Sequence, residues 1–165
     1  MKQHIYCRHF FECEIPFFDV DAINVVWHGN YVKYFEMARC AFLNEIAHNY
    51  NDMRQDGFCY PIVKLQVKYI RPARFGQKIR IETQLVDFES KLSFNYIVFD
   101  SETNEKLTQA STEQVAIRID NRETQFIIPD ALQQAIKRYS GFQAAWNQNY
   151  SQFRPKADKA VKPQT

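Results

Sequence analysis

The chain has 165 residues, enough for one globular domain and too few for two of ordinary size. Its hydrophobic content of 45% and aromatic content of 15% are typical of a chain with a packed core and exclude a wholly disordered one. Lys and Arg number 21 against 19 Asp and Glu, a net charge of +2. Proteins that bind duplex nucleic acid usually carry a strongly positive surface. Because the net charge of this chain is small, we expect no nucleic-acid partner.

The sequence predicts a cytoplasmic protein that neither spans a membrane nor binds a metal. The N-terminus carries no apolar signal segment, and no window reaches the roughly 20 apolar residues of a membrane span. The four cysteines include no Cys-x-x-Cys pair. Scattered cysteines are typical of reduced thiols and lack the spacing of a zinc site.

The first half of the chain predicts one strand followed by one long helix. Alternate positions of residues 4–15 are mostly apolar, which indicates a half-buried strand, and Pro16 ends it. From Tyr31 to about Tyr50, apolar residues recur at helical spacing. Asn30 is the predicted N-cap of this helix, because its side chain can accept from a first-turn N–H.

The second half predicts four more strands and a short helix. The strands fall near residues 64–69, 78–85, 92–99 and 106–119, and Pro129 opens a helix that ends near Gly141. This order predicts an α+β fold, a five-stranded antiparallel sheet packed against one long helix, plus a short C-terminal helix. We expect residues 1–141 to form the domain and residues 142–165 a polar, partly disordered tail.

The segment between the first strand and the long helix carries the candidate site. Asp19 and Asp21 lie two residues apart, and His28 follows just before the helix. The first N–H groups of a helix have no internal partners and attract negative charge. A carboxylate beside them is a plausible arrangement for acyl transfer, with a base or nucleophile on one side of a carbonyl and amide donors on the other.

The residue order resembles that of the hotdog-fold thioesterases of the 4-hydroxybenzoyl-CoA thioesterase type, including the YbgC-like acyl-CoA thioesterases. Three pieces carry the resemblance, which spans about residues 4–137. They are Asp19-Val20-Asp21 with Val25-Val26-Trp27-His28 and Asn30-Tyr31, then Tyr34-Phe35-Glu36-Met37-Ala38-Arg39, then Tyr69-Ile70-Arg71-Pro72-Ala73.

The resemblance implies a hotdog fold and an acyl-CoA thioester hydrolase that releases the free acid and CoA. It makes Asp21 the catalytic carboxylate, either as nucleophile or as the base that activates water. The oxyanion donor would be a backbone N–H near His28, whose side chain is a second catalytic candidate. Active sites would lie at the interface of a homodimer, which can pair further into a homotetramer. No metal or bound cofactor is implied, since CoA is part of the substrate.

Other residues are assigned to structure or to substrate contact. Asp19 is expected to hold the turn, and Glu36 with Arg39 to form a structural ion pair or a dimer contact. Ile23 would add bulk near the acyl pocket, and Asn24 suits a turn because Asn tolerates left-handed backbone. The candidate substrate-binding residues are Val26, Trp27, Tyr31, Arg71 and Lys91, with Arg71 and Lys91 directed at the CoA phosphates.

Two alternatives remain open at the level of sequence. The same fold could act on an acyl-carrier-protein or polyketide-type thioester, which would add the carrier protein as a partner. It could instead be a non-catalytic module that binds acyl-CoA, a reading suggested by the unusual Ala22-Ile23-Asn24 step.

Overall fold

The structure, a computed structural model, describes residues 3–145. Its eight strands are β1 (Cys7–Glu14), β2 (Phe58–Cys59), β3 (Ile62–Tyr69), β4 (Lys78–Asp87), β5 (Leu92–Asp100), β6 (Lys106–Gln114), β7 (Ala116–Arg118) and β8 (Thr124–Gln125). Its three α-helices are α1 (Tyr31–Glu45), α2 (Tyr50–Gln55) and α3 (Asp130–Arg138). Two 3-10 turns, Phe17–Asp19 and His28–Asn30, lie between β1 and α1.

The predicted five-stranded antiparallel sheet is confirmed, with spatial order β1-β4-β5-β6-β3. Helix α1 packs against one face, where Phe35 stacks on Tyr96 and Phe42 meets Phe94 edge to face, with centroids 5.0 and 5.8 Å apart. Because alternate strand residues point to opposite faces, this contact fixes the strand register. Because the earlier helix residue meets the later strand residue, α1 runs antiparallel to β5. Its N-terminus therefore lies at the end of the sheet where β3 ends and β4 begins.

Helix α1 is shorter than predicted, and a separate helix follows it. Ala47 has a φ of 55°, and the His48 N–H bonds back to the Leu43 carbonyl, which ends α1 in a Schellman-type turn. Asn49 then starts α2 as a capping box, because its side chain accepts from Asn51 and Asp52 while Asp52 accepts from the Asn49 N–H. The prediction of one helix from 31 to 50 was therefore wrong at its C-terminal end.

Two further predictions were wrong in detail. The strand expected over residues 106–119 breaks at Val115, and its continuation β7 pairs with β2 and β8 in a separate three-stranded sheet. Pro129 is the residue before α3 and not its first residue. Both differences arise because short strands and helix ends depend on contacts that local periodicity does not reveal.

A buried arginine lies between α1 and the sheet. Arg39 is 1% exposed; its guanidinium pairs with Glu36 and donates to the hydroxyls of Tyr50 at 2.7 Å and Tyr96 at 2.9 Å. Each of its nitrogens thus has a partner, as a buried charge requires. The predicted pairing of Glu36 with Arg39 is therefore present within one subunit.

The chain stays packed past the predicted domain boundary at residue 141. The ring of Phe142 lies against Phe88 and Tyr6, and the Gln143 N–H donates to the Tyr6 carbonyl at 2.7 Å. The remainder of the predicted tail, residues 146–165, lies outside the described residues. None of the helices within residues 3–145 has the length and hydropathy needed to cross a bilayer.

Candidate active site

Asp21 opens a tight turn that ends at Asn24. The Asn24 N–H bonds to the Asp21 carbonyl at 2.9 Å, and Asn24 has the left-handed φ of 61° that the sequence suggested. The Asp21 carboxylate accepts only the Ile23 N–H, at 3.0 Å, and has no cation partner among residues 3–145. Since one amide leaves most of the acceptor capacity of a carboxylate unused, this side chain is free to act on a ligand.

Asp19 has the opposite surroundings. It is 2% exposed, and its carboxylate accepts from the Tyr34 hydroxyl and pairs with the Lys33 ammonium. Its backbone carbonyl accepts both the Trp27 N–H at 3.0 Å and the Asn30 side-chain amide at 2.9 Å. Asp19 therefore ties the connecting segment to α1, the structural role predicted for it.

These contacts also correct the prediction for Asn30. Its backbone is already helical, with φ −70° and ψ −19°, and its side chain makes no cap hydrogen bond to α1. The amide instead donates to Asp19. The helical path begins earlier, in the 3-10 turn His28–Asn30 that continues directly into α1.

The first amides of that turn are unpaired. Within residues 3–145, no acceptor takes the backbone N–H of His28 or of Gly29, whereas the Asn30 N–H bonds to the Trp27 carbonyl at 2.9 Å. The Trp27 ring lies over Gly29 and occupies the space that a Cβ would need. The start of the helix therefore offers two free N–H donors, with a half-exposed indole beside them.

An apolar cleft of about 240 Å³ opens beside His28. Tyr31 and Tyr69 form part of its wall, with ring centroids 5.4 Å apart, and burial raises the pKa of the Tyr69 phenol. The Tyr31 hydroxyl accepts the Ala73 N–H at 3.2 Å, which fixes the far side of the cleft. The full lining is Val26, His28, Tyr31, Tyr69, Ile70, Arg71 and Pro72.

A second, more polar cleft of about 570 Å³ adjoins the first and shares Arg71 and Pro72 with it. Arg74 and Gln77 also line it, and Arg71 pairs there with Glu105 at 3.0 Å. The Val26 N–H bonds to the Ala73 carbonyl at 2.9 Å, so the loop that carries these arginines runs directly beside the Asp21 turn.

The structure thus brings most of the predicted site residues to one end of the sheet. Val26, His28, Tyr31 and Arg71 line one cleft, and Asp21 and Trp27 lie on the same connecting segment as Val26 and His28. Ile23, in contrast, is 74% exposed at the tip of its turn and does not line the cleft, so the expected bulk in the acyl pocket is absent from the single chain.

Lys91 does not join this group. It precedes β5, whereas Tyr69 pairs with Thr108 and, through it, with Val98 at the other end of the strand. Six residues of strand separate the two positions, which is about 20 Å. Lys91 instead pairs with Glu113 at 2.6 Å, and this contact lowers the pKa of the Glu113 carboxyl. Within one subunit Lys91 therefore lies away from both clefts, and its contact with substrate stays a prediction.

Tyr69 is the site residue that sequence reasoning missed. Its hydroxyl donates to the His28 carbonyl at 2.8 Å, across 41 positions of sequence. The only signal was its place in the Tyr69-Ile70-Arg71-Pro72-Ala73 motif, which showed a relation to other sequences without showing a contact.

Comparison with known proteins identifies the class. The sequence model of the Thioesterase-like superfamily matches residues 15–136, so the chain belongs to that superfamily. The putative acyl-CoA thioesterase YneP of Bacillus subtilis is 26% identical over 90 residues, which are 54% of this chain and 65% of YneP. The acyl-CoA thioester hydrolase YbgC of Escherichia coli O157:H7 is 27% identical over 100 residues, 60% of this chain and 74% of YbgC. The matched region thus spans just under two thirds of YneP.

The solved structures agree on the fold. The DHNA-CoA thioesterase of Staphylococcus aureus superposes with a TM-score of 0.68 at 27% identity, covering 72% of this chain and 80% of that one. The sheet and its central helix are therefore a hotdog fold, and the resemblance to hotdog thioesterases is confirmed.

Proposed function

We propose that this protein hydrolyses acyl-CoA thioesters to the free acid and CoA, with Asp21 as the reacting carboxylate. The observations that carry this are an uncommitted carboxylate on the segment that leads into the helix, two unpaired N–H groups at the start of that helix, and an apolar cleft that His28 lines. The names of YneP and YbgC support the same reaction class.

Two routes fit Asp21. As a base, the carboxylate takes a proton from water, the hydroxide adds to the thioester carbon, and the C–S bond breaks to release the thiolate, which is then protonated. As a nucleophile, it forms an acyl anhydride and releases the thiolate, and water then hydrolyses the anhydride. In both routes the negative charge develops on the carbonyl oxygen, where the His28 and Gly29 N–H groups can stabilise it. Neither route needs a metal or a bound cofactor.

The two clefts suggest where the acyl group and the CoA part of the substrate bind. The cleft beside Tyr31 and Tyr69 would take the acyl group, since its walls are mostly apolar. The adjoining cleft would take the phosphates of CoA through Arg71 and Arg74. Val26 and Trp27 would bound the acyl end, while His28, which lines the same cleft, would contact the thioester through its imidazole.

A second copy of the chain would complete the site. Strand β3 is an eight-residue sheet edge, and its other side has no partner among residues 3–145; Val63, Leu65 and Tyr69 along it are exposed. Pairing two β3 edges about a two-fold axis would cover this apolar edge. The partner would then run in the opposite direction, which brings its Lys91 end toward this subunit's arginines. We expect a homodimer or homotetramer by sedimentation equilibrium; a monomer at micromolar concentration would contradict this arrangement.

The test of the proposed reaction is free-thiol release from a panel of acyl-CoAs with short, long and aromatic acyl groups. We expect wild-type protein to release CoA from at least one class. Release from acyl-carrier-protein thioesters alone would favour the carrier-protein alternative. Tight binding of acyl-CoA with no thiol release from either kind of thioester would overturn the proposal in favour of a non-catalytic module.

A further inference from the structure

Tyr69 reaches from the end of β3 to the start of the helix. Its hydroxyl donates to the His28 carbonyl at 2.8 Å. Its ring is held between two neighbours, Tyr31 at 5.4 Å and His28 at 6.5 Å between centroids, both edge to face. This is a well-defined contact between two elements that share no sheet ladder.

The carbonyl that Tyr69 holds belongs to the same peptide unit as the Gly29 N–H. A trans peptide is planar, and its C=O and N–H point in opposite directions. No cis peptide bond occurs among the described residues. When Tyr69 fixes the direction of the His28 carbonyl, it therefore fixes the Gly29 N–H on the opposite side, where that N–H has no acceptor of its own within residues 3–145.

The neighbouring amide is held in an equivalent way. The His28 N–H shares its peptide unit with the Trp27 carbonyl, which accepts the Asn30 N–H at 2.9 Å. That bond lies within the 3-10 turn itself, whereas the His28 carbonyl also accepts from a side chain of a distant strand. Of the two free donors, only Gly29 has its orientation tied to Tyr69.

We propose that Tyr69 is a positioning residue of the thioesterase reaction, which holds and polarises the His28–Gly29 peptide so that the Gly29 N–H serves as an oxyanion donor. This inference rests on the proposed function. A hydrogen bond to the carbonyl strengthens the N–H of the same amide as a donor, because chains of hydrogen bonds polarise one another.

Tyr69→Phe removes only the hydroxyl and tests this role. We expect kcat for thiol release to fall about tenfold, a part of the 10²–10³ range for complete loss of an oxyanion donor. KM should change little, because the ring still lines the cleft. The matched control is Tyr139→Phe, which removes a hydroxyl near the opposite end of α1, where its ring contacts Phe42, and should leave kcat unchanged. A wild-type kcat in Tyr69→Phe would overturn the proposal.

Two further measurements separate positioning from a general structural effect. Replacing Tyr69 by fluorotyrosines of increasing acidity should raise kcat in step with donor strength, until the pH exceeds the phenol pKa and kcat falls. In a CoA ketone analogue with CH₂ in place of sulfur, the infrared carbonyl stretch of the bound ligand should lie at higher frequency in Tyr69→Phe than in wild type. A kcat independent of fluorination, or equal carbonyl frequencies, would overturn the role of Tyr69.

The outcomes also distinguish this inference from the proposed function. If wild-type protein releases no thiol from any acyl-CoA, the proposed function fails, and the infrared comparison still decides whether Tyr69 polarises the donor. If wild type is active and Tyr69→Phe matches it, only the role of Tyr69 fails.

Discussion

Asp19 and Asp21 lie two residues apart and have opposite environments. Asp19 is buried. Its carboxylate accepts from a hydroxyl and pairs with an ammonium, and its backbone carbonyl accepts from two amides. Asp21 sits in a tight turn, and its carboxylate accepts a single backbone N–H. The difference shows how a chain divides similar side chains between tasks: the saturated carboxylate fixes the connection between strand and helix, and the unsaturated one is left for a ligand.

The contrast extends along α1. In the 3-10 turn that leads into α1, two N–H donors are unpaired, and His28 lines the adjacent cleft. In its middle, the Arg39 guanidinium is buried with every nitrogen paired. Buried polar groups without partners are costly, whereas N–H donors at an exposed helix start can be satisfied by solvent or substrate.

The largest stability effect is expected for Asp19→Asn. The change removes the ion pair with Lys33 and weakens the bond from Tyr34, a loss of about 2 kcal/mol in the free energy of unfolding for hydrogen bonds to a buried charged group. For a domain of this size, that corresponds to a fall in Tm of about 6 °C.

Differential scanning calorimetry measures this change, and kcat per folded molecule should stay close to that of wild type. An unchanged Tm together with lost activity would reverse the roles assigned to the two aspartates.

A smaller effect is expected at the turn that presents Asp21. Asn24→Ala places a residue with a Cβ and no local hydrogen-bonding group at a φ of 61°, at a cost of about 1 kcal/mol. Asn24→Gly is the matched control and should lose no stability, because Gly adopts left-handed backbone without strain. Chemical denaturation of the two variants checks this order, and equal stabilities for Ala and Gly would contradict the strained turn.

The smallest effect concerns His9, on β1 beside Phe42. Burial lowers the pKa of its imidazole, and the charge of Glu45 only partly opposes this. The unfolded chain therefore binds a proton at higher pH than the folded one, so His9 reduces stability as the pH falls through the ordinary histidine range.

Between pH 7.5 and 5.5, the free energy of unfolding should fall less for His9→Leu than for wild type. The difference between the two falls should be less than about 1 kcal/mol. Thermal unfolding of both proteins at the two pH values measures this. An equal loss in the two proteins would show that His9 does not contribute.

The sequence predicted those features that local pattern controls. Period-two alternation located β1, β3 and β4, and an apolar run on both faces located β5. Asn24 was expected to tolerate the left-handed turn that it adopts. Periodicity could not separate α2 from α1, because that division depends on the Asn49 capping box and the left-handed Ala47.

The rest depends on contacts between distant parts of the chain. The Tyr69 hydroxyl meets the His28 carbonyl only after β3 has joined the edge of the sheet. Similarly, the positions of Lys91 and Tyr69 on opposite ends of the sheet follow from strand register. Neither relation can be derived from spacing along a single sequence.

The most direct test of the account is the turnover of Asp21→Asn on the best acyl-CoA, measured as free-thiol release together with Tm. Loss of a general base or nucleophile lowers the rate by roughly 10²–10⁴-fold. We expect an unchanged Tm, because the Asp21 carboxylate makes a single backbone hydrogen bond, which the amide oxygen of Asn can still accept. A folded Asp21→Asn protein that releases thiol at close to the wild-type rate would contradict the assignment of Asp21 as the reacting carboxylate.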